Sequence, residues 1–130
     1  MRKLGGIFVL ILMVLLSASG CYYDHEETLY PQNGCDTANV KYSDQVTYIV
    51  SNNCYDCHSN STASISGSGQ SFEGHANLSG YIWGAGNQVI FISSINHVAG
   101  YTPMPKDRPK LNDCDIRTLE IWIENGCPNN

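Results

Sequence analysis

Cys54-Tyr55-Asp56-Cys57-His58 is the stretch on which the reading of this 130-residue chain turns. Two cysteines separated by two residues sit on one turn of backbone, and the next side chain is an imidazole. That spacing lets both thiols reach the vinyl groups on one edge of a porphyrin while the imidazole comes under the iron. The pattern therefore predicts one covalently held haem, with Cys54 and Cys57 as attachment points and His58 as an axial iron ligand. Rival readings fit less well. A thioredoxin-like pair wants its first cysteine at a helix N-terminus after a strand, where the helix dipole lowers the thiol pKa. A structural zinc site needs further ligands, and the chain has no second C-x-x-C and no H-x-x-x-H. A plain disulfide would leave His58 without a role.

Working outward, Ser43 is a good N-cap, Asp44 suits the first turn, and Val46, Ile49, Val50 and Asn53 follow helical spacing. A helix of about ten residues is predicted from there to near Cys54, with the motif at its C-terminal end. Residues 59–74, dominated by Ser, Gly, Asn and Thr, are expected to form an exposed loop too polar to order itself. Over Asn87–Val98 a short helix fits best, capped by Asn87 and carrying Val89, Ile92, Ile95 and Asn96 on one side. Two prolines make Tyr101-Thr102-Pro103-Met104-Pro105 a stiff loop. The last helix has the fullest signals: Asn112 as cap, Asp113 and Asp115 in the first turn, and Leu111 with Ile116 as a hydrophobic staple. Its apolar face is Ile116, Leu119, Trp122 and Ile123, its stop Gly126 and Pro128, and it should pack on the first helix. The fold class expected is all-α.

The N-terminus reads as an address. Arg2 and Lys3 precede an apolar run from Ile7 to Leu16 and the small residues Ser17-Ala18-Ser19-Gly20, so residues 1–20 are read as a signal peptide cleaved before Cys21. The apolar run is short for a spanning helix, which needs about 18 residues or more. Ala18-Ser19-Gly20-Cys21 resembles the lipobox of bacterial lipoproteins, which implies lipidation of Cys21 and a membrane anchor facing the periplasm or cell exterior. Residues 21–40, with Asp24, Glu26 and Glu27, read as an acidic tether, and 41–130 as the domain. Residues 1–20 hold two basic and no acidic residues, so the mature chain keeps five Lys and Arg against 12 Asp and Glu, a net charge of −7. That excludes the basic footprint of a nucleic-acid binder. With Cys21 acylated and Cys54 and Cys57 on haem, Cys35, Cys114 and Cys127 remain, so at most one pair can form.

Across residues 35 to 130 the chain resembles the class I cytochromes c, above all small single-haem lipoprotein members. The likeness is carried by Cys35-Asp36-Thr37, the C-x-x-C-H, Gly100-Tyr101-Thr102-Pro103-Met104-Pro105, Lys110-Leu111, Asp113-Cys114-Asp115-Ile116, Trp122-Ile123 and Gly126-Cys127-Pro128-Asn129-Asn130. It implies a helical domain wrapped around the haem, with a methionine before the last helix as second axial ligand, which maps onto Met104. The residues agree, since Met104 is the sole thioether of the mature chain and two prolines restrict its loop. The resemblance also favours a Cys35–Cys114 disulfide, with Cys35–Cys127 as the rival pairing. Such proteins tend to carry a histidine at the place of His97, which implies a hydrogen-bonding role near the haem; a polar cap ending its helix is the other reading. His25 and His75 are read as solvated.

Aromatic residues Tyr42, Tyr48, Tyr55, Tyr81, Trp83, Tyr101 and Trp122 could line a porphyrin, although helical spacing places Tyr48 and Trp122 in the core. Lys106, Arg108 and Lys110 read either as a basic rim for an acidic partner or, preferred here, as solvated charges paired with Asp107 and Asp113. The expectation overall is an electron carrier, not an enzyme, with His58 and Met104 on the iron, redox proteins as partners and no small-molecule substrate. The alternatives are a haem enzyme or small-gas sensor with an open iron position, and a haem-free thiol-redox or zinc module.

Overall fold

The computed structural model describes residues 35–130. The expected signal peptide, the expected lipidation site Cys21 and the expected tether up to residue 34 lie outside the described residues. Among the described residues the regular structure is helical throughout, with no strand, as expected of an all-α domain. Residues 35–40, read above with the tether, are tied into it: Cys35 is disulfide-bonded to Cys114, and Val40 is part of the buried core. The bridge joins Cα atoms 5.5 Å apart across a sequence separation of 79 residues, a long loop whose closure restricts the unfolded chain.

A π-helical turn, Tyr42–Val46, leads into α1, Thr47–Asn53, and a short α2, Tyr55–His58, follows directly after Cys54. The predicted stripe is buried: Val46, Ile49 and Val50 are all core residues. Ser43, however, does not cap. Position 41 is the N-cap, and the free amides of Tyr42 and Ser43 donate to Oδ1 (2.8 Å) and the backbone O (2.9 Å) of Asn130, at the far end of the chain. A cap supplied across the fold leaves no local mark. Tyr48 also departs from expectation; it lies off the stripe and is 69% exposed.

The polar stretch after α2 leads to α3, His75–Ser79, extended by a second π-helical turn, Gly80–Gly84. These elements bury Leu78 and Ile82 completely. His75 is not a solvated side chain. Its Nε2 lies 2.8 Å from the Cys127 carbonyl, to which it must donate, and its ring meets Tyr42 and Trp122 edge-on with centroids 4.9 and 6.1 Å away. Helix α4, Gln88–Ile95, occupies the predicted place with a different inward face: Phe91, Ser94 and Ile95 are buried, whereas Val89 is 65% exposed.

Helix α5, Asp113–Glu124, follows its signals closely. The Asn112 side chain accepts from the Asp115 amide at 2.8 Å, and both staple residues, Leu111 and Ile116, are buried. Trp122 is fully buried and packs on Tyr42 beside α1, with ring centroids 5.7 Å apart. Asn112→Ala should cost about 1 kcal/mol of stability by leaving the first-turn amide unpaired. A denaturant midpoint equal to the parent's would show that water caps the helix equally well.

Of the three free cysteines among the described residues, Cys127 is the one that is buried. Burial pushes it up to about 11 from 9.0, while a hydrogen bond to Trp83 works the other way. An unfolded chain therefore releases this proton at a lower pH than the folded one. The stabilisation is complete below pH 9.0 and is lost as pH rises toward about 11, with a slope approaching about 1.4 kcal/mol per pH unit. Urea titrations across that range should show a steeper alkaline fall for the parent than for Cys127→Ala, and parallel curves would refute the assignment.

Candidate functional site

The C-x-x-C-H residues are set by the break between α1 and α2. Cys54 ends the first helix, its amide donating to Val50 O at 2.8 Å, and begins the second, its carbonyl accepting from Cys57 and His58 at 3.1 and 2.8 Å. Cys54, Cys57 and His58 all line one cavity of about 180 Å³. Met104, half-buried in the Pro-Met-Pro loop, lines the same cavity across a sequence gap that only the fold closes. The walls are apolar: Phe72, Tyr81, Phe91, Ile95 and Leu111. Of the aromatic residues singled out in the sequence, only Tyr81 is among them, while Trp83 and Tyr101 are exposed.

His58 is gripped at its backbone and its ring. Its carbonyl accepts the Phe72 amide at 2.7 Å, and its imidazole stacks on the Phe72 ring at 4.3 Å with an interplanar angle of 11°. Its Nδ1 lies 2.8 Å from the Gln70 carbonyl. A carbonyl oxygen can only accept, so Nδ1 carries a proton and donates it there, which leaves Nε2 as the ring nitrogen available to a ligand. An imidazole fixed in this tautomer is prepared to bind a metal through Nε2.

That carbonyl is delivered by residues 59–70, where the sequence predicts an unordered polar loop. The segment is largely exposed, as expected, but ordered as a wound series of turns: the Ala63 carbonyl accepts from both Gly67 (3.0 Å) and Gly69 (2.8 Å), and Gln70 N–H returns to Gly67 O at 2.9 Å. Ala63 and Gly67 are buried beneath it. Backbone bonding overrides composition because the segment closes on the motif itself. Gly67, Gln70, Phe72, Phe91 and Ser94 are thus site residues that sequence reasoning missed. Phe72 alone carried a signal, as the one aromatic residue in the polar stretch.

Burial pushes Cys54 up to about 12 from 9.0, and the neighbouring Cys57 adds to the rise. A thiol that attacks disulfides needs the opposite shift. Among the described residues no group of three or more His, Cys, Asp or Glu side chains is placed to hold a metal ion.

Charges gather at the mouth, where Asp56, Lys106 and Arg108 line the cavity. Lys110 pairs with Asp113 at 3.0 Å, as expected, but Arg108 pairs with Asp56 of the motif and not with Asp107. Both pairs are solvent-exposed, which limits each to about 1 kcal/mol or less. His97 places Nε2 3.1 Å from the Met104 carbonyl. No protein-family model matches the chain, and neither a curated protein nor a solved structure shows significant similarity to it.

Proposed function

We propose that this chain is an electron carrier with one covalently bound haem, a small class I cytochrome c held to a membrane through Cys21. One observation carries the reading: Cys54, Cys57, His58 and Met104 line a single apolar-walled cavity, with the His58 ring in the tautomer that frees Nε2. The donor set fits the group. Cys54 and Cys57 would carry the thioether links, and His58 Nε2 and the Met104 sulfur would be the axial ligands. Bound there, haem supplies a one-electron ferrous/ferric couple. The chain's own part is to exclude water with Phe72, Phe91, Ile95 and Leu111, and to hold both axial donors on structured backbone. Were His58 and Met104 both to hold the iron, no substrate would be expected on it. The partners would be redox proteins at the membrane, meeting the chain in the periplasm or at the cell exterior.

Mass spectrometry of the denatured mature chain tests attachment, and one haem increment on a chain beginning at lipidated Cys21 is expected. A chain without the increment would end the cytochrome reading and return attention to a thiol or zinc module. The optical spectrum tests ligation: a low-spin spectrum with the sulfur-to-iron charge-transfer band is expected. A high-spin spectrum that shifts with carbon monoxide would favour the enzyme or gas-sensor reading.

A further inference from the structure

Helix α4 ends in a two-bond Schellman cap. Val98 N–H donates to Ser93 O at 2.9 Å, and His97 N–H to Ser94 O at 3.2 Å. In this motif the residue after the C-cap adopts the left-handed conformation, where glycine is usual because any Cβ is penalised. Here that residue is His97, with φ 56°. Histidine tolerates the region better than most side chains, yet glycine would sit there with less strain. What histidine adds is its ring, whose Nε2 lies 3.1 Å from the Met104 carbonyl. Because that oxygen can only accept, Nε2 must donate, and it does so whether the ring is neutral or charged.

The same helix end also takes the other side of Met104. The Met104 amide donates to Ser94 O at 3.0 Å, so Ser94 O serves both the cap and the loop, and Ser94 is itself buried. Both backbone hydrogen-bonding groups of Met104 are therefore anchored on one helix terminus. We propose that His97 is a positioning residue for Met104: its ring occupies a glycine position so that the cap of α4 fixes the Met104 backbone and resists displacement of the Met104 sulfur by an outside ligand. The proposal rests on Met104 being an iron ligand, as put forward above.

The test is an imidazole titration of the full-length holoprotein and of two variants. His97→Gly keeps the left-handed cap and deletes the ring. His97→Asn also suits that backbone but is too short to reach the Met104 carbonyl. A competing ligand binds in proportion to the fraction of molecules with Met104 released, and losing one neutral hydrogen bond shifts that fraction about fivefold. Both variants should bind imidazole about fivefold more tightly than the parent, with unchanged helical circular dichroism, and the Met104 amide should exchange faster. Parent-like imidazole affinity in a folded variant would overturn the proposal. A parent protein lacking the sulfur-to-iron band would instead defeat the ligand reading, and exchange at the Met104 amide would then still decide whether the clamp exists.

Discussion

Gly67→Ala should destabilise the domain by about 3 kcal/mol or more and sharply reduce the fraction of chains carrying the haem mass increment. Gly67 is buried, and it needs no left-handed backbone, so the constraint is space. A β-carbon there would overlap the Cys57 carbonyl oxygen and come within 2.9 Å of the Ala63 Cα and 3.0 Å of His58 Nδ1. Two of these neighbours are backbone and the third is a ring fixed by Gln70, so none can retreat cheaply. Relief must come from opening the turn that supplies the Gln70 carbonyl, and His58 then loses the bond that sets its tautomer. Gly69→Ala is the control. Its φ of +78° makes the substitution strained, but nothing lies within 4 Å, so a cost of about 1 kcal/mol with normal attachment is expected. Denaturant unfolding and mass spectrometry measure both quantities, and parent-like values for Gly67→Ala would show that the turn does not govern His58.

The contrast between α5 and residues 59–70 shows what kind of information a single sequence holds. In α5 the determinants are neighbours: Asn112 caps Asp115, Leu111 faces the same core as Ile116, and the periodicity of Ile116, Leu119, Trp122 and Ile123 points one way. Such signals can be read without knowing the fold. The turns after α2 owe their order to His58, which accepts from Phe72 and donates to Gln70, and composition alone describes them as unfoldable. In α4 the difficulty was direction. Val89, Ile90, Phe91, Ile92 and Ile95 leave apolar side chains on every side, so periodicity establishes a helix without choosing its inner face. His75 and the Ser43 cap were misread for the same reason as the turns, since the partners that replace the expected ones, Cys127 and Asn130, lie 52 and 87 to 88 residues away. The candidate donors themselves were legible because C-x-x-C-H is local and Met104 is the sole thioether beyond residue 13. The groups that hold those donors in place were not.

Met104→Ala should abolish the sulfur-to-iron charge-transfer band, leave a high-spin haem that binds carbon monoxide stoichiometrically once reduced, and lower the midpoint potential. The loop should survive the change. Its backbone is restricted by Pro103 and Pro105 and anchored through the Met104 amide and carbonyl, none of which involves the side chain. Truncating a half-buried methionine should cost only about 1–2 kcal/mol, less than a fully buried one. The spectral change would thus report the loss of a donor atom and not collapse of the site. Met104→Leu separates the two further, because it restores volume without sulfur: it should recover stability while leaving the band absent and the iron position open. The potential should fall in both variants, since the soft thioether favours the ferrous state that a harder replacement ligand does not. If both variants keep the parent spectrum, Met104 is not a ligand, and the closed electron-transfer site gives way to one in which another donor or an exchangeable ligand occupies the iron.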